Sequence, residues 1–391
     1  MPGPEAGATV APMTAFTLET DQRALIDEAR RIARDQLRSV ADSGEPGRVN
    51  RPLVKALAEH GLLPRLFPTS AGGSREGEVS ALELAILREA LAREAPEVET
   101  ALALQGLGAY PILQSGRDEV VQRLVRPVAS GEAVAAFALT EAEHGSDAAA
   151  LELRAERDGD GWRLTGEKTY ISNAPGADVY TVFARTTLDA GAKGVTAFAV
   201  EGDSQGLTGE SIELIAAHPV GRLTFDGVPV PDEHVLGEVD RGFRVAMRTL
   251  DLFRPSVGAF AVGMAWAALD AAVEHASARQ AFGKPIREFQ AISHALAEMA
   301  TRTEAARLLV YSAAAGVDAG APDVTRRSAM AKLFATETAQ WVVDRAIQIH
   351  GARALERGHL LEHLYREVRA PRIYEGTSEI QREVIARELF S

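Results

Sequence analysis

The spacing of apolar residues changes period twice along the chain, and that double change limits the architecture more than any other feature. From about Leu18 to Arg123, residues such as Ala81, Leu82, Leu84, Ala85 and Leu87 stand among charged ones at helical spacing, with few β-branched positions. Ala71-Gly72-Gly73 and Glu94-Ala95-Pro96 read as breaks between helices. From about Ala133 to Pro231 the period shortens to two. Leu151, Leu153 and Ala155 alternate with Glu152, Arg154 and Glu156, and Asp158-Gly159-Asp160-Gly161 supplies a turn before Trp162, Leu164, Tyr170 and Ile171. Residues 179–183, 195–200 and 223–228 continue as strands, an antiparallel unit of about 100 residues. After Asp240 long helices return, with Ile292, Leu296, Met299, Ala306 and Leu309 near one face of a helix over about 290–315. This order predicts a mainly α chain with an inserted β domain: helices over 18–132, sheet over 133–236, helices over 237–391.

Composition narrows the partners. A chain of 391 residues favours two or three structural units, and 46% hydrophobic with 25% charged residues is ordinary globular usage. Lys plus Arg is 42 against 55 Asp plus Glu, a formal charge of −13. That balance argues against nucleic acid or an anionic membrane as the main partner, while leaving room for one local basic pocket. The absence of cysteine excludes disulfides, thiolate nucleophiles and Cys-ligated zinc. Residues 1–17, rich in Pro, Gly and Ala without a basic start, read as a disordered tail rather than a signal peptide. No apolar run approaches the roughly 20 residues a membrane span requires, so the expected location is the cytoplasm.

Two motifs have ordinary readings that outweigh their functional ones. Gly106-Leu107-Gly108 is the nearest match to a dinucleotide-binding glycine fingerprint, but it sits in a helical region and lacks the third glycine. His359-Leu360-Leu361-Glu362-His363 matches an inverted zinc-protease pattern, yet only 28 residues follow and no other ligand cluster stands out. No metal site is expected.

Four further segments are more informative together than singly. Phe137-Ala138-Leu139-Thr140-Glu141-Ala142-Glu143-His144-Gly145-Ser146-Asp147 runs an apolar strand end into a hydroxyl-bearing turn, suited to an oxygen-rich ligand or to simple strand termination. Arg279-Gln280-Ala281-Phe282-Gly283, with Phe289-Gln290, joins a phosphate-capable arginine and an aromatic to a helix start. Gln348-Ile349-His350-Gly351-Ala352 breaks a long helix, and Ile373-Tyr374-Glu375-Gly376-Thr377-Ser378-Glu379 opens another with groups that suit an anion.

In this order and spacing the four segments resemble those of the acyl-CoA dehydrogenase family, and the resemblance runs from about residue 18 to the end. It implies an N-terminal helical domain, a central antiparallel β-barrel or sandwich, and a C-terminal four-helix bundle. It also implies non-covalent FAD. Phe137, Leu139, Thr140 and Ser146 would lie against the flavin ring, with Tyr170, Ile171 and Ser172 contacting its other parts. Arg279, Phe282 and Gln290, with Gln348, Gly351 and Ala352, would reach the pyrophosphate and adenosine side from a neighbouring subunit, and Thr377 and Glu379 would close the site. A shared site implies a homodimer or, more usually in the family, a homotetramer. An electron-transfer flavoprotein is the implied electron acceptor.

The implied reaction is α,β-dehydrogenation of an acyl thioester, with Glu375 as base and flavin N5 as hydride acceptor. Some members carry their base on an earlier helix, within an Asp-x-x-Arg segment. Here that segment reads Asp251-Leu252-Phe253-Arg254, and phenylalanine cannot be a base. Asp251 and Arg254, with Gly376, are the implied substrate contacts, although Asp251 and Arg254 also suit a plain i,i+3 ion pair. The chain departs from the family pattern at Ala142 (usually Pro), Tyr170 (usually Trp), Ser172, Ala174, Ala352 and Ala354. It is also shortened around Ala216-Ala217-His218-Pro219-Val220-Gly221, near the implied substrate. That shortening leaves open an acyl-carrier-protein thioester in place of the coenzyme A ester. A flavin monooxygenase of the same fold is the remaining alternative; members of that kind generally lack the glutamate.

Overall fold

The computed structural model describes residues 18–390, so the tail expected over 1–17 lies almost wholly outside the described residues. The N-terminal part is built on α1 (Thr20–Ile32), α2 (Arg51–Glu59), α3 (Ala81–Glu94) and α4 (Pro96–Ser115). The break between α3 and α4 is a single extended residue, Ala95, after which Pro96 occupies the first helical position that its fixed φ suits. At the start of α3, Ser80 Oγ accepts from the Glu83 N–H at 3.1 Å, and the Asp318 carboxylate takes the Ala81 and Leu82 N–H groups at 2.6 and 3.1 Å.

The strands are β1 (Ala135–Ala138), β2 (Arg154–Asp158), β3 (Gly161–Ser172), β4 (Val179–Arg185), β5 (Val195–Glu201), β6 (Leu207–Ser211), β7 (Val220–Pro231) and β8 (Val235–Leu236). Among the described residues they form one sheet in the order β6-β7-β3-β2-β4-β5-β8, with β1 also paired to β4. Two details correct the sequence reading. β1 runs parallel to β4, Ala135 facing Val179 and Ala138 facing Val182, so the sheet is mixed. No hairpin joins the two strands, so no tight turn dictates an antiparallel direction. Leu151 and Leu153 lie ahead of β2 rather than in it. Their side chains are buried, but the Glu152 and Leu153 N–H groups go to the Glu141 carboxylate at 2.6 and 2.9 Å instead of to a ladder.

The C-terminal helices are α5 (Gly242–Ala278), α6 (Gln290–Asp318), α7 (Val324–His350), α8 (Leu360–Glu367) and α9 (Ser378–Leu389). α5 is the central post: it packs on α6 and α7 and on α3 of the N-terminal part. It also corrects the expectation that no apolar run is long enough to span a membrane. By length and composition α5 is long enough, but 78% of its most apolar window is buried inside the protein, where alanines, glycines and Phe253, Val257 and Phe260 pack against its neighbours.

The glycines of Gly106-Leu107-Gly108 serve packing. A Cβ on Gly108 would sit 2.5 Å from the Ala136 nitrogen, and one on Gly106 would meet the Leu66 and Phe253 side chains at 3.0–3.1 Å. α4 therefore runs flush against β1. Gln105 Oε1 accepts from Ala135 N–H (3.0 Å), and Thr181 donates to the Gly108 carbonyl (2.8 Å). These bonds fix the strand that leads into the Leu139–Thr140 turn.

Candidate active site

Three residues singled out in the sequence share an unusual backbone state. Six non-glycine residues have positive φ: Asn173, Asp189 and Asp240, whose side chains tolerate it, and Tyr170, Phe282 and Glu375, at +55°, +50° and +52°. Left-handed backbone at a bulky residue costs on the order of 1–3 kcal/mol and persists only where the surroundings impose it.

Around Glu375 the imposing groups are explicit. Gly376 continues the left-handed turn (φ +91°), and Thr377 then caps α9, its Oγ1 accepting from the Ile380 N–H at 3.3 Å. Gln381 Nε2 donates to the Glu375 and Gly376 carbonyls at 3.1 and 3.0 Å. Arg254 Nε reaches the Glu375 carbonyl at 3.4 Å, and Lys332 Nζ the Gly376 carbonyl at 2.7 Å. Three side chains from α5, α7 and α9 thus clamp two consecutive carbonyls. The carboxyl itself is left free: Glu375 Oε2 is buried and has no hydrogen-bond partner. Burial pushes the Glu375 pKa up, against the opposing pull of Arg88, Lys332 and Arg254. Such a group is poised to take a proton. Phe253, at the alternative base position, is buried and its ring lies 6.1 Å from that of Tyr110.

Asp251 and Arg254 form the i,i+3 ion pair at 3.1 Å, and Arg254 is only 7% exposed. Arg254 therefore joins Asp251 to the turn of the candidate base. Gly376 has no room for a side chain: a Cβ there would meet Gln381 Nε2 at 2.7 Å.

The strand-end segments assemble through a buried lysine. Lys168 Nζ donates to the Leu139 carbonyl (2.9 Å) and to Glu141 (2.8 Å), and Thr169 N–H bonds the Thr140 carbonyl at 3.0 Å. A register shift in β3 between Lys168 and Ile171 turns Tyr170 outward, leaving it 60% exposed beside Thr140. Ile171 is buried, and Phe137 packs on Phe183 with centroids 5.0 Å apart. The hydroxyls of Thr140, Ser146 and Ser172 make no hydrogen bond among the described residues, and a Cβ on Gly145 would meet nothing within 4 Å. An open turn, free hydroxyls and an outward aromatic fit an isoalloxazine with its polar edge.

A second group lies at the far end of the bundle. Arg279, Phe282, Gln290, Gln348, Gly351 and Ala352 are all exposed, Phe282 at 95%. Stacked His275 and His350, with centroids 4.2 Å apart, tie the ends of α5 and α7 together there. No hydrogen bond, ion pair or ring contact among the described residues joins this group to the first. Thr377 and Glu379 stand at the start of α9, Glu379 exposed. In the His359–His363 motif, His359 is the cap of α8, its Nδ1 accepting from Leu361 N–H at 3.1 Å, while His363 faces Glu97 at 2.9 Å. The two imidazoles serve different partners.

Sequence reasoning missed Arg88, Lys332 and Gln381, and the pairing of His218 with Glu367. Arg88 is buried between Glu99, which it pairs with, and Ser256 Oγ at 2.7 Å. His218 Nε2 lies 2.6 Å from the buried Glu367 carboxylate. Arg88 and Lys332 each interrupt a helix stretch that is otherwise alanine and leucine on every side, and that signal was available.

A helical protein with an inserted sheet, an open cradle fitting a flavin and an unpaired buried carboxyl at a clamped turn belongs to the class of flavin-dependent oxidoreductases that act on carbon acids. Residues 19–132, 136–228 and 240–390 match the N-terminal, middle and C-terminal domain models of acyl-CoA dehydrogenase. The chain belongs to the acyl-CoA dehydrogenase family, FAD-dependent oxidoreductases acting on CH–CH groups. It is 37% identical over 347 residues to the caffeyl-CoA reductase–Etf complex subunit CarC of Acetobacterium woodii, covering 88% of this chain and 90% of that one. The butyryl-CoA dehydrogenase structure from Megasphaera elsdenii superposes with a TM-score of 0.91 at 34% identity, covering 97% and 100% of the two chains. A structure described as PigA with FAD and proline superposes with a TM-score of 0.91 at 29% identity, covering 96% and 99%.

Proposed function

We propose that Glu375 removes the α-proton of an acyl thioester as the β-hydrogen leaves as hydride, giving the α,β-unsaturated product. Bound FAD supplies the hydride acceptor. The observation that carries this reading is the Glu375 carboxyl: buried, unpartnered at Oε2, and held on a turn whose carbonyls are clamped from three helices. With both carbonyls tied back, the N–H groups of the turn remain as donors for the thioester oxygen, where enolate charge develops; one such donor contributes about 10²–10³ in rate.

Phe137, Leu139, Thr140, Ser146, Tyr170, Ile171 and Ser172 would hold the flavin end of the cofactor. The exposed group of Arg279, Phe282, Gln290, Gln348, Gly351 and Ala352 would serve the cofactor of a neighbouring subunit, in a homodimer or homotetramer, with Thr377 and Glu379 at the edge. Asp251, Arg254 and Gly376 would fix the thioester side through the turn. We place an electron-transfer flavoprotein as the redox partner, supported by the reductase–Etf relative, and the enzyme in the cytoplasm, on the reading of α5 as a core helix.

The reductase relative favours a second direction for the same chemistry. Protonated Glu375 would then return a proton to the α-carbon of an unsaturated thioester as hydride arrives at the β-carbon, and a raised pKa suits that role equally. Anaerobic addition of acyl-CoA and acyl-carrier-protein thioesters to the yellow protein tests the reading. One of these classes is expected to bleach the flavin. Reduction only by NAD(P)H, followed by oxygen-dependent turnover, would refute it in favour of a monooxygenase.

A further inference from the structure

We propose that Lys332 is a positioning residue for the base: its ammonium, locked on the Gly376 carbonyl, sets both the aim and the charge state of Glu375 without occupying either carboxylate oxygen. The inference rests on the reading of Glu375 as the base.

Lys332 lies on α7 and is fully buried (0% exposed), and its Nζ donates to the Gly376 carbonyl at 2.7 Å. A buried ammonium requires a counter-charge, yet Lys332 forms no direct ion pair with any carboxylate among the described residues. The charges facing it are Glu375, Glu337 and Glu379, with Arg254 opposing. Two of the acids are engaged elsewhere. Glu337 is held by Arg372 at 2.9 Å and by Ser378 Oγ at 2.6 Å, and Glu379 is exposed, with Arg382 at 3.5 Å. Glu375 remains.

The view from the base agrees. Arg88 from α3, Arg254 from α5 and Lys332 from α7 are the cations facing Glu375, and Tyr374 lies beside it. Arg88 is taken by Glu99 and Ser256, and Arg254 by Asp251. Lys332 and Glu375 are thus the two charges at this turn without a direct ionic partner of their own, separated by the Gly376 peptide. A cation bonded straight to the carboxylate would cover the oxygen that must receive the proton. Held one peptide away, it favours the anion electrostatically and leaves Oε2 free.

The test uses the full FAD-loaded protein, with butyryl-CoA as probe and the rate of anaerobic flavin bleaching followed from pH 5.5 to 9. Lys332→Gln keeps a donor for Gly376 but loses the charge, Lys332→Met loses both, and Lys332→Arg keeps both. A cation beside a carboxylate lowers its pKa, so removing it moves the bleaching midpoint to higher pH. The expected shift in the Gln and Met variants is about one unit or more, which slows bleaching about tenfold below the midpoint. Lys332→Arg should hold the midpoint near that of the wild type. An unchanged midpoint in a fully FAD-loaded Lys332→Gln protein would overturn the inference. So would failure of both neutral variants to fold, which would assign Lys332 to stability alone. If bleaching is as fast in Glu375→Gln as in the wild type, or absent in the wild type, the base reading falls and this inference with it.

Discussion

Gly376→Ala is the sharpest local test of the clamped turn. At φ +91° an L side chain is strained, at a cost of about 1–3 kcal/mol. The new Cβ would stand 2.7 Å from Gln381 Nε2, and Gln381 is buried, so it cannot swing out to solvent. Its displacement breaks the bonds to the Glu375 and Gly376 carbonyls, each contributing about 0.5–1.5 kcal/mol. Together these make the variant less stable by about 2–5 kcal/mol, which for the helical C-terminal part corresponds to a Tm lowered by on the order of 5–15 °C. The carboxylate is carried on the same turn, and a misplacement of about 1 Å costs on the order of 100-fold in rate. Thermal unfolding of the FAD-loaded protein and anaerobic bleaching measure the two effects. A variant with wild-type Tm and wild-type bleaching would show that the turn accommodates a side chain, and the clamp argument would fail.

Two further outcomes follow from other parts of the structure. Burial works against the His218 cation, but the Glu367 carboxylate outweighs it and the imidazole pKa is raised. The pair therefore stabilises the fold fully below about pH 6.5, the unfolded value, and that contribution is lost as pH rises through the higher folded value. Unfolding midpoints measured from pH 6 to 9 should fall less steeply with pH in His218→Gln than in the wild type; identical slopes would contradict the pairing. Phe282→Ala should leave the stability of the cofactor-free chain unchanged, because the ring is 95% exposed. FAD affinity should drop by about 10- to 100-fold, the effect of a buried phenylalanine, if the ring covers a neighbour's cofactor. Unaltered FAD affinity would remove that face from the site.

The helix–sheet–helix order was legible because apolar period reports directly on which face of an element is buried. The direction of β1 was not, since it depends on pairing with β4 across an intervening hairpin rather than on any local pattern. Gly106 and Gly108 announced a close approach without saying to what; the partners, Phe253 and the Ala136 backbone, are distant in sequence. The left-handed backbone at Tyr170, Phe282 and Glu375 was invisible for a different reason. Local propensity assigns that region to Gly, Asn and Asp, and here tertiary contacts impose it on bulky residues. Lys332 and Arg88 broke apolar helix patterns and could have been flagged as buried charges. Their partners could not have been named, because Gly376 and Glu99 reach them from other helices.

The central claim is that one carboxyl, Glu375, moves the α-proton. Single-turnover anaerobic bleaching by an acyl thioester, compared between the wild type and a Glu375→Gln protein shown to bind FAD equally well, tests it most directly. A general base contributes about 10²–10⁴ in rate, so the variant should bleach slower by at least that lower factor while the flavin spectrum of the resting protein stays the same. Bleaching at the wild-type rate in Glu375→Gln would contradict the account.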